Sequence, residues 1–352
     1  MDPNASKKGM FNKFNKQAAL QNLEAETFNR KTVSFYKYVI LDNTHQLRDE
    51  LYKQWNALGV LGRIYLAEEG INAQLSVPDH NWDAFVFHVN SYTFFQDIPF
   101  KIAIEDDGKS FFKLTIKVRK QIVADGLENN EYDVCNVGQH LSAKKWNEAM
   151  ENGAIVVDMR NHYESEIGHF KGAICPDVET FKEELPKVKQ LLNGKEEEPI
   201  LLYCTGGIRC EKASAYLKHN GFQDVYQLHG GIIDYVRQLE QDESLVNKFE
   251  GKNFVFDERL SERISDKVIS NCHQCGRPSD THVNCKNVNC NLLFIQCKEC
   301  RKAHKDCCSQ ECISISQIPE TEQKKIRVGI VNQKRYHSHS KMDLSQAFKK
   351  NE

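Results

Sequence analysis

Nine of the thirteen cysteines in this 352-residue chain fall between Cys272 and Cys312. In a chain expected in the cytosol, so many cysteines argue for metal binding or thiol chemistry rather than a disulfide framework. The segment therefore reads as a module of its own, and the rest of the chain has to build separate cores. A chain of this length is expected to hold two or three domains. With 40% hydrophobic and 27% charged residues it has the composition of a soluble globular protein, and no run approaches the roughly 18 apolar residues of a membrane span. The polar, basic start MDPNASKKGMFNKFNKQ lacks the apolar stretch of a secretory signal, so the cytoplasm is the expected location and reduced thiols the expected state.

The net charge of −2 conceals an asymmetry. From Gln323 onward there are eight Lys and Arg against Asp343 and Glu352. Such an end reads as a solvated basic tail over residues 321–352, with capture of a phosphate backbone as the alternative.

After a polar, basic lead-in over residues 1–31, residues 32–127 carry a β-α-β-β-α-β pattern, the order of a ferredoxin-like α+β sandwich. Residues 33–41 (VSFYKYVIL) form the first strand. Asp42 or Thr44 is placed to cap a helix with Leu47, Leu51, Trp55 and Leu58 on one stripe. Residues 61–67 and 71–77 form a hairpin. A second helix over residues 82–95 has Trp82, Phe85, Phe87 and Val89 as its apolar candidates, and strands follow at 100–104 and 111–118. In the last strand, period-two alternation sets Lys113, Lys117 and Arg119 on one face, a candidate nucleic-acid surface against the plain alternative of a wet sheet face.

From Leu141 helices and strands alternate, so residues 138–243 read as a doubly wound α/β domain. Ser142 caps its first helix, and the apolar run 200–203 is a buried strand. That strand leads into LLYCTGGIRC, residues 201–210, before a helix expected to begin near Arg209–Glu211. In open α/β sheets ligands bind beyond the carboxyl ends of the strands. Cys204 there faces a helix N-terminus and a cup of amides opened by Gly206 and Gly207, with Arg209 adding a full charge. All of these favour thiolate over thiol. Cys210, on the first turn, is either a resolving thiol for an oxidised Cys204 or a packed core cysteine.

In the C-terminal module, residues 252–320, Cys272-x2-Cys275 and Cys297-x2-Cys300 are separated by 21 residues, near the spacing of a four-cysteine zinc site. Cys285, Cys290, Cys307, Cys308 and Cys312 are further ligand candidates. Eight cysteines fill two tetrahedral sites and leave one over, in a partition that spacing does not set. Structural zinc is the preferred occupant; free thiols, disulfides or an iron–sulfur cluster are the alternatives.

CTGGIR, preceded by VVDMRNHYESEIGHFKGA and followed by VYQLHGGIIDY, resembles a rhodanese domain. The resemblance implies that Cys204 is the reactive thiol or carries a persulfide, cradled by the amides of Thr205, Gly206, Gly207, Ile208 and Arg209. Asp158, Arg160, Glu166, Gly168 and His169 match motif positions that mainly brace the fold. The C-x4-R loop is one residue shorter than the C-x5-R loop of cysteine phosphatases, and so suits sulfur chemistry better than phosphate.

The wider chain is similar to the bacterial oxygen-dependent tRNA uridine hydroxylases. RIYLAEEGINAQLSVP, VRKQIVADGL, CTGGIRCEKASAYL, FDERLSERIS and the cysteine series follow in order. That similarity implies an oxidoreductase that 5-hydroxylates the wobble uridine of tRNA, with molecular oxygen as co-substrate and Cys204 essential. Its partner is then tRNA, held at the anticodon region, with no membrane and no stable protein partner implied. No flavin, haem or 2-His-1-carboxylate pattern is recognisable in the sequence. The alternative activity is a rhodanese-type sulfurtransferase working through a Cys204 persulfide. A third reading is a zinc-dependent RNA-binding or regulatory protein.

Overall fold

Alternating apolar positions in the first third of the chain build one mixed sheet. The computed structural model describes residues 9–12, 16–127, 131–327 and 344–348. The first elements are β1 (Gly9–Phe11), α1 (Lys16–Glu24), β2 (Arg30–Tyr38), α2 (Thr44–Ala57), β3 (Leu61–Ala67), β4 (Gly70–Pro78), α3 (Trp82–Asn90), β5 (Lys101–Ile102) and β6 (Leu114–Val118). Their strands lie in the order β1-β6-β3-β4-β2-β5. The stretch β5-β2-β4-β3 is the expected ferredoxin-like core. β6, parallel to β3, and β1, antiparallel to β6, widen it at one edge.

Leu47, Leu51 and Trp55 of α2 and Phe85 and Val89 of α3 pack with Val33, Phe35, Ile64, Ala73 and Leu75 of the sheet. Two expectations are corrected here. α3 stops at Asn90, and Phe87 is 77% exposed, because only residues four apart share its buried face. Neither Asp42 nor Thr44 caps α2; Asn43 occupies the cap position with a left-handed backbone and makes no side-chain cap bond.

The second domain contains β7 (Gln139–Leu141), α4 (Ala143–Glu151), β8 (Ile155–Asp158), α5 (His162–Ser165), β9 (Gly168–Phe170), α6 (Phe181–Leu191), β10 (Ile200–Tyr203), α7 (Ile208–His219), β11 (Val225–Leu228) and α8 (Gly231–Gln241). Its all-parallel sheet has the order β7-β11-β10-β8. Leu202 faces a core with α6 and α7, whereas Leu201 and Tyr203 face Trp146, Phe170 and Tyr235 on the other side. This is why β10 reads as a continuous apolar run: both of its faces are covered. Ser142 does cap α4, accepting from the Lys145 N–H.

The C-terminal region adds β12 (Phe249–Phe254), β13 (Ser261–Arg263), β14 (His282–Asn284), β15 (Leu293–Ile295), α9 (Lys298–His304), α10 (Gln310–Gln317) and α11 (Glu320–Arg327). β12 pairs with β9, so the module is joined to the second domain through a shared sheet. The segment expected as a basic tail instead opens with α11. Beyond it, Leu344 is buried among the module's cysteines, and Phe348 stacks on His304 at 3.6 Å. The remainder of 321–352, and most of the first fifteen residues, lie outside the described residues. Among those described, no helix is long and apolar enough to cross a membrane.

Candidate active site

β10 delivers Cys204 to the end of the sheet, fully buried at 0% exposure, and α7 begins four residues later at Ile208, one residue earlier than expected. Gly207 sits at φ 95°, a conformation open to glycine. It sends its N–H to Cys204 Sγ at 3.1 Å. A Cβ there would also meet the Tyr36 hydroxyl at 2.9 Å. From behind, the N–H groups of Ile232 and Ile233 at the start of α8 bond to the carbonyls of Cys204 and Thr205. The loop's carbonyls are thereby turned away from the thiol while amides point towards it.

Burial pushes the Cys204 thiol up. A hydrogen bond from the Cys210 thiol, the Arg209 charge, and the N–H groups of Arg209 and Gly207 together outweigh that and bring it down to about 6. At neutral pH Cys204 is therefore mostly thiolate. Cys210 moves the other way, well above the ordinary thiol range, first through burial and then through its bond to Cys204. The pair is one thiolate and one thiol donor, both fully buried.

Arg209 is not a free charge. Its guanidinium is clamped by Glu164 at 2.6 and 2.9 Å and lies 5.9 Å from the Phe256 ring. Nearby Glu184 is buried with neither carboxyl oxygen bonded among the described residues, and burial drives its carboxyl well above the usual range. The motif pair Asp158–Arg160 braces the fold as expected. Its ion pair measures 2.6 Å with both side chains buried, Arg160 reaches the Gly168 carbonyl, and Tyr203 donates to Asp158. His169 bonds Ser165, and Glu166 pairs with His273 across to the C-terminal module.

The first domain closes over the loop. Tyr36 donates to Glu211 at 3.0 Å, Tyr38 donates to the Ile208 carbonyl, and Lys212 pairs with Glu69 and Asp125. Lys101 lies 4.5 Å from the Tyr36 ring centre beside the loop. Its ammonium makes no ion pair among the described residues, and burial lowers its affinity for a proton while the Cys204 and Asp234 charges oppose that. Between the two domains lies a cavity of about 370 Å³, a size suited to a small ligand or one nucleotide base. The Cys204 loop lines it together with Tyr36, Tyr65, Asn72, Gln74 and Lys101 of the first domain.

Lys113 and Arg119 are exposed and Lys117 half-buried, on the sheet face that carries Arg63 and Tyr65. Arg119 lies 5.5 Å from the Tyr65 ring centre. They belong to the rim beyond the cavity rather than its lining. Sequence reasoning missed Tyr36, Lys101, Gln74 and Glu164. The period-two aromatics of VSFYKYVIL were the one local signal, and nothing in them points 170 residues ahead.

The nine C-terminal cysteines divide into two groups of four. Cys272, Cys275, Cys297 and Cys300 form one, and Cys285, Cys290, Cys308 and Cys312 the other, each with all sulfurs within 4.8 Å. A tetrahedral site with bonds of about 2.3 Å has sulfur–sulfur edges near ~3.8 Å, whereas a disulfide needs about 2.05 Å. The Cys275–Cys297, Cys290–Cys308 and Cys308–Cys312 separations are 3.7, 3.6 and 3.7 Å, so the donors suit a metal and not disulfides. Cys307 is the cysteine left over, near the Lys305 carbonyl and the Ser316 hydroxyl.

Three family descriptions match successive parts of the chain: a UPF0176 acylphosphatase-like domain over residues 30–122, a rhodanese-like domain over 142–238 and a rhodanese C-terminal region over 250–313. A protein of Leptospira interrogans named tRNA uridine(34) hydroxylase is 56% identical over 96% of this chain and 92% of its own length. Proteins of the same name from Yersinia pestis and Yersinia pseudotuberculosis are 49% identical, over 92% of this chain and 91% of theirs.

Proposed function

The chain belongs to the tRNA uridine(34) hydroxylase family and is an oxidoreductase acting on a tRNA uridine; on that premise we propose that Cys204 is its essential thiol. The uridine is the wobble base of the anticodon loop, hydroxylated at C5 with molecular oxygen as co-substrate. The observation that carries this reading is the position of a thiolate-favouring Cys204 inside a 370 Å³ cavity walled by two domains. A persulfide alone needs far less room, so the sulfurtransferase alternative leaves the first domain's wall without a task.

The chain's residues divide the work. Gly207 and Arg209 N–H groups and the Cys210 thiol hold the Cys204 sulfur as an anion, and Glu164 fixes the Arg209 guanidinium beside it. Because Cys204 is sealed from solvent, a base can meet it only by leaving its stack and entering the cavity, which an unpaired loop nucleotide does at low cost. Lys113, Lys117 and Arg119 then lie where the flanking phosphates run. The two four-cysteine groups can hold metal, and zinc suits a closed set of four thiolates; its task is to fold the C-terminal module. Such an enzyme works in the cytoplasm.

Nucleoside mass spectrometry of tRNA from cells lacking the gene, or carrying Cys204→Ser, tests the reading. In a host with no redundant pathway, 5-hydroxyuridine-derived nucleosides are expected to vanish in both. Their persistence at the normal level would exclude it.

A further inference from the structure

The first domain contributes more than a cover. On β4, Asn72 and Gln74 are two apart and share a face. In register, Tyr36, Asn72 and Tyr65 form one row across β2, β4 and β3; Ser34, Gln74 and Arg63 form the next. Both rows line the same cavity as Cys204, Thr205 and Gly206. Two half-buried rows that carry two tyrosines and two carboxamides between them are more than a lid requires, since apolar side chains would seal the loop at less desolvation cost.

We propose that Asn72 and Gln74 read the Watson–Crick edge of the uracil, so that selection of uridine over cytidine is made by the first domain and not by the thiol-bearing one. This rests on the hydroxylase reading above. Uracil presents an O4 acceptor beside an N3–H donor, whereas cytosine presents an N4 donor beside an N3 acceptor. A carboxamide carries one donor and one acceptor side by side and matches either base, depending on which way it is turned. Gln74 has no side-chain hydrogen bond to a described residue and so is available to a ligand. Asn72 is already turned: its Nδ2 donates to the Ile122 carbonyl at 3.2 Å, which fixes the direction of its own carboxamide. Tyr36 and Tyr65 supply aromatic walls of the kind on which unpaired bases pack. Arg63, from the same face, leads outward to Lys117 and Arg119, so the base pocket runs directly into the basic rim.

The test is binding rather than turnover. Full-length protein carrying Cys204→Ser is titrated by fluorescence anisotropy, at one salt concentration, with two labelled anticodon stem-loops that differ only in U or C at the wobble position. A uridine preference of about 5- to 150-fold is expected, the range for one well-made bidentate base contact. Gln74→Leu and Asn72→Leu are each expected to bring that ratio towards one chiefly by weakening the U stem-loop. Gln74→Glu, which keeps shape but replaces the amide donor with an acceptor, tilts it towards C, because a carboxylate accepts from N4 and repels O4. Lys117→Ala weakens both stem-loops alike and leaves the ratio. Unchanged melting temperatures identify the variants that stay folded. An equal affinity for the two stem-loops in the parent protein, or a ratio that survives both Gln74→Leu and Gln74→Glu, overturns the proposal. Either result leaves the hydroxylase reading standing if tRNA from the gene deletion still lacks the modification. Persistence of the modification there sinks the hydroxylase reading instead.

Discussion

Two regions of this molecule are built around cysteine, and they treat it in opposite ways. In the second domain one sulfur, Cys204, is isolated at a strand end and surrounded by N–H groups, a guanidinium and a neutral thiol. In the C-terminal module eight sulfurs stand in two groups, with edges of 3.6–3.7 Å where these are measured. The first arrangement favours a thiolate in the wall of a cavity. The second gathers four thiols at the spacing of a tetrahedral set, so each group can hold a cation. The difference lies in the neighbours that the backbone supplies.

That contrast is sharpest for the largest expected effect. Cys204→Ser is expected to reduce hydroxylation to background without moving the melting temperature, since the side chain has no packing partner that serine cannot approximate. Cys308→Ser is expected to do the reverse: metal analysis falls from two equivalents per chain to one, and the C-terminal module loosens. If both groups hold zinc, chelation is expected to cost the module most of its stability, because binding at a structural zinc site is worth about 10–16 kcal/mol of apparent free energy. A single metal equivalent in the parent protein would break the two-group division.

A smaller effect is expected at Glu164. Glu164→Ala removes the clamp on a largely buried Arg209 and is expected to cost about 3–5 kcal/mol, read from denaturant unfolding. A loss below about 1 kcal/mol would mean that Arg209 relaxes into solvent. The smallest change is Cys210→Ala. The folded-state value for Cys204 is depressed to about 6, so the thiolate is present above that pH and is lost as pH falls through it. Iodoacetamide alkylation of Cys204 should follow the same curve. Removing the Cys210 donor is expected to move the midpoint upward, towards the ordinary thiol range; an unmoved midpoint assigns the whole effect to Arg209 and the amides.

Much of this site was legible in the chain itself. The run LLYCTGGIRC announces a buried strand, a thiol, a glycine turn and a helix, because all four are local properties of ten residues. The β-α-β-β-α-β order of the first domain and the alternation of the second follow likewise from short-range periodicity. Phe87 shows where that reading fails: in a strongly apolar helix the buried face is set by which partner it meets, not by composition. The basic end misled for a related reason. Leu344 and Phe348 find a surface on the cysteine module that no local pattern foretells.

Sequence alone thus determined the thiol at the strand end, its loop and the existence of a cysteine module, since each depends on neighbours along the chain. Tertiary structure decided everything that depends on neighbours across it. It divided eight cysteines into two groups, because pairing of knuckles is set by how β14, β15 and α9 fold back on each other. It tied Arg209 to Glu164, 45 residues away, and it brought the Asn72–Gln74 face of one domain and the Cys204 of another to the same cavity. Spacing cannot encode these contacts, because the energy that selects them comes from surfaces buried only once distant parts of the chain have packed together.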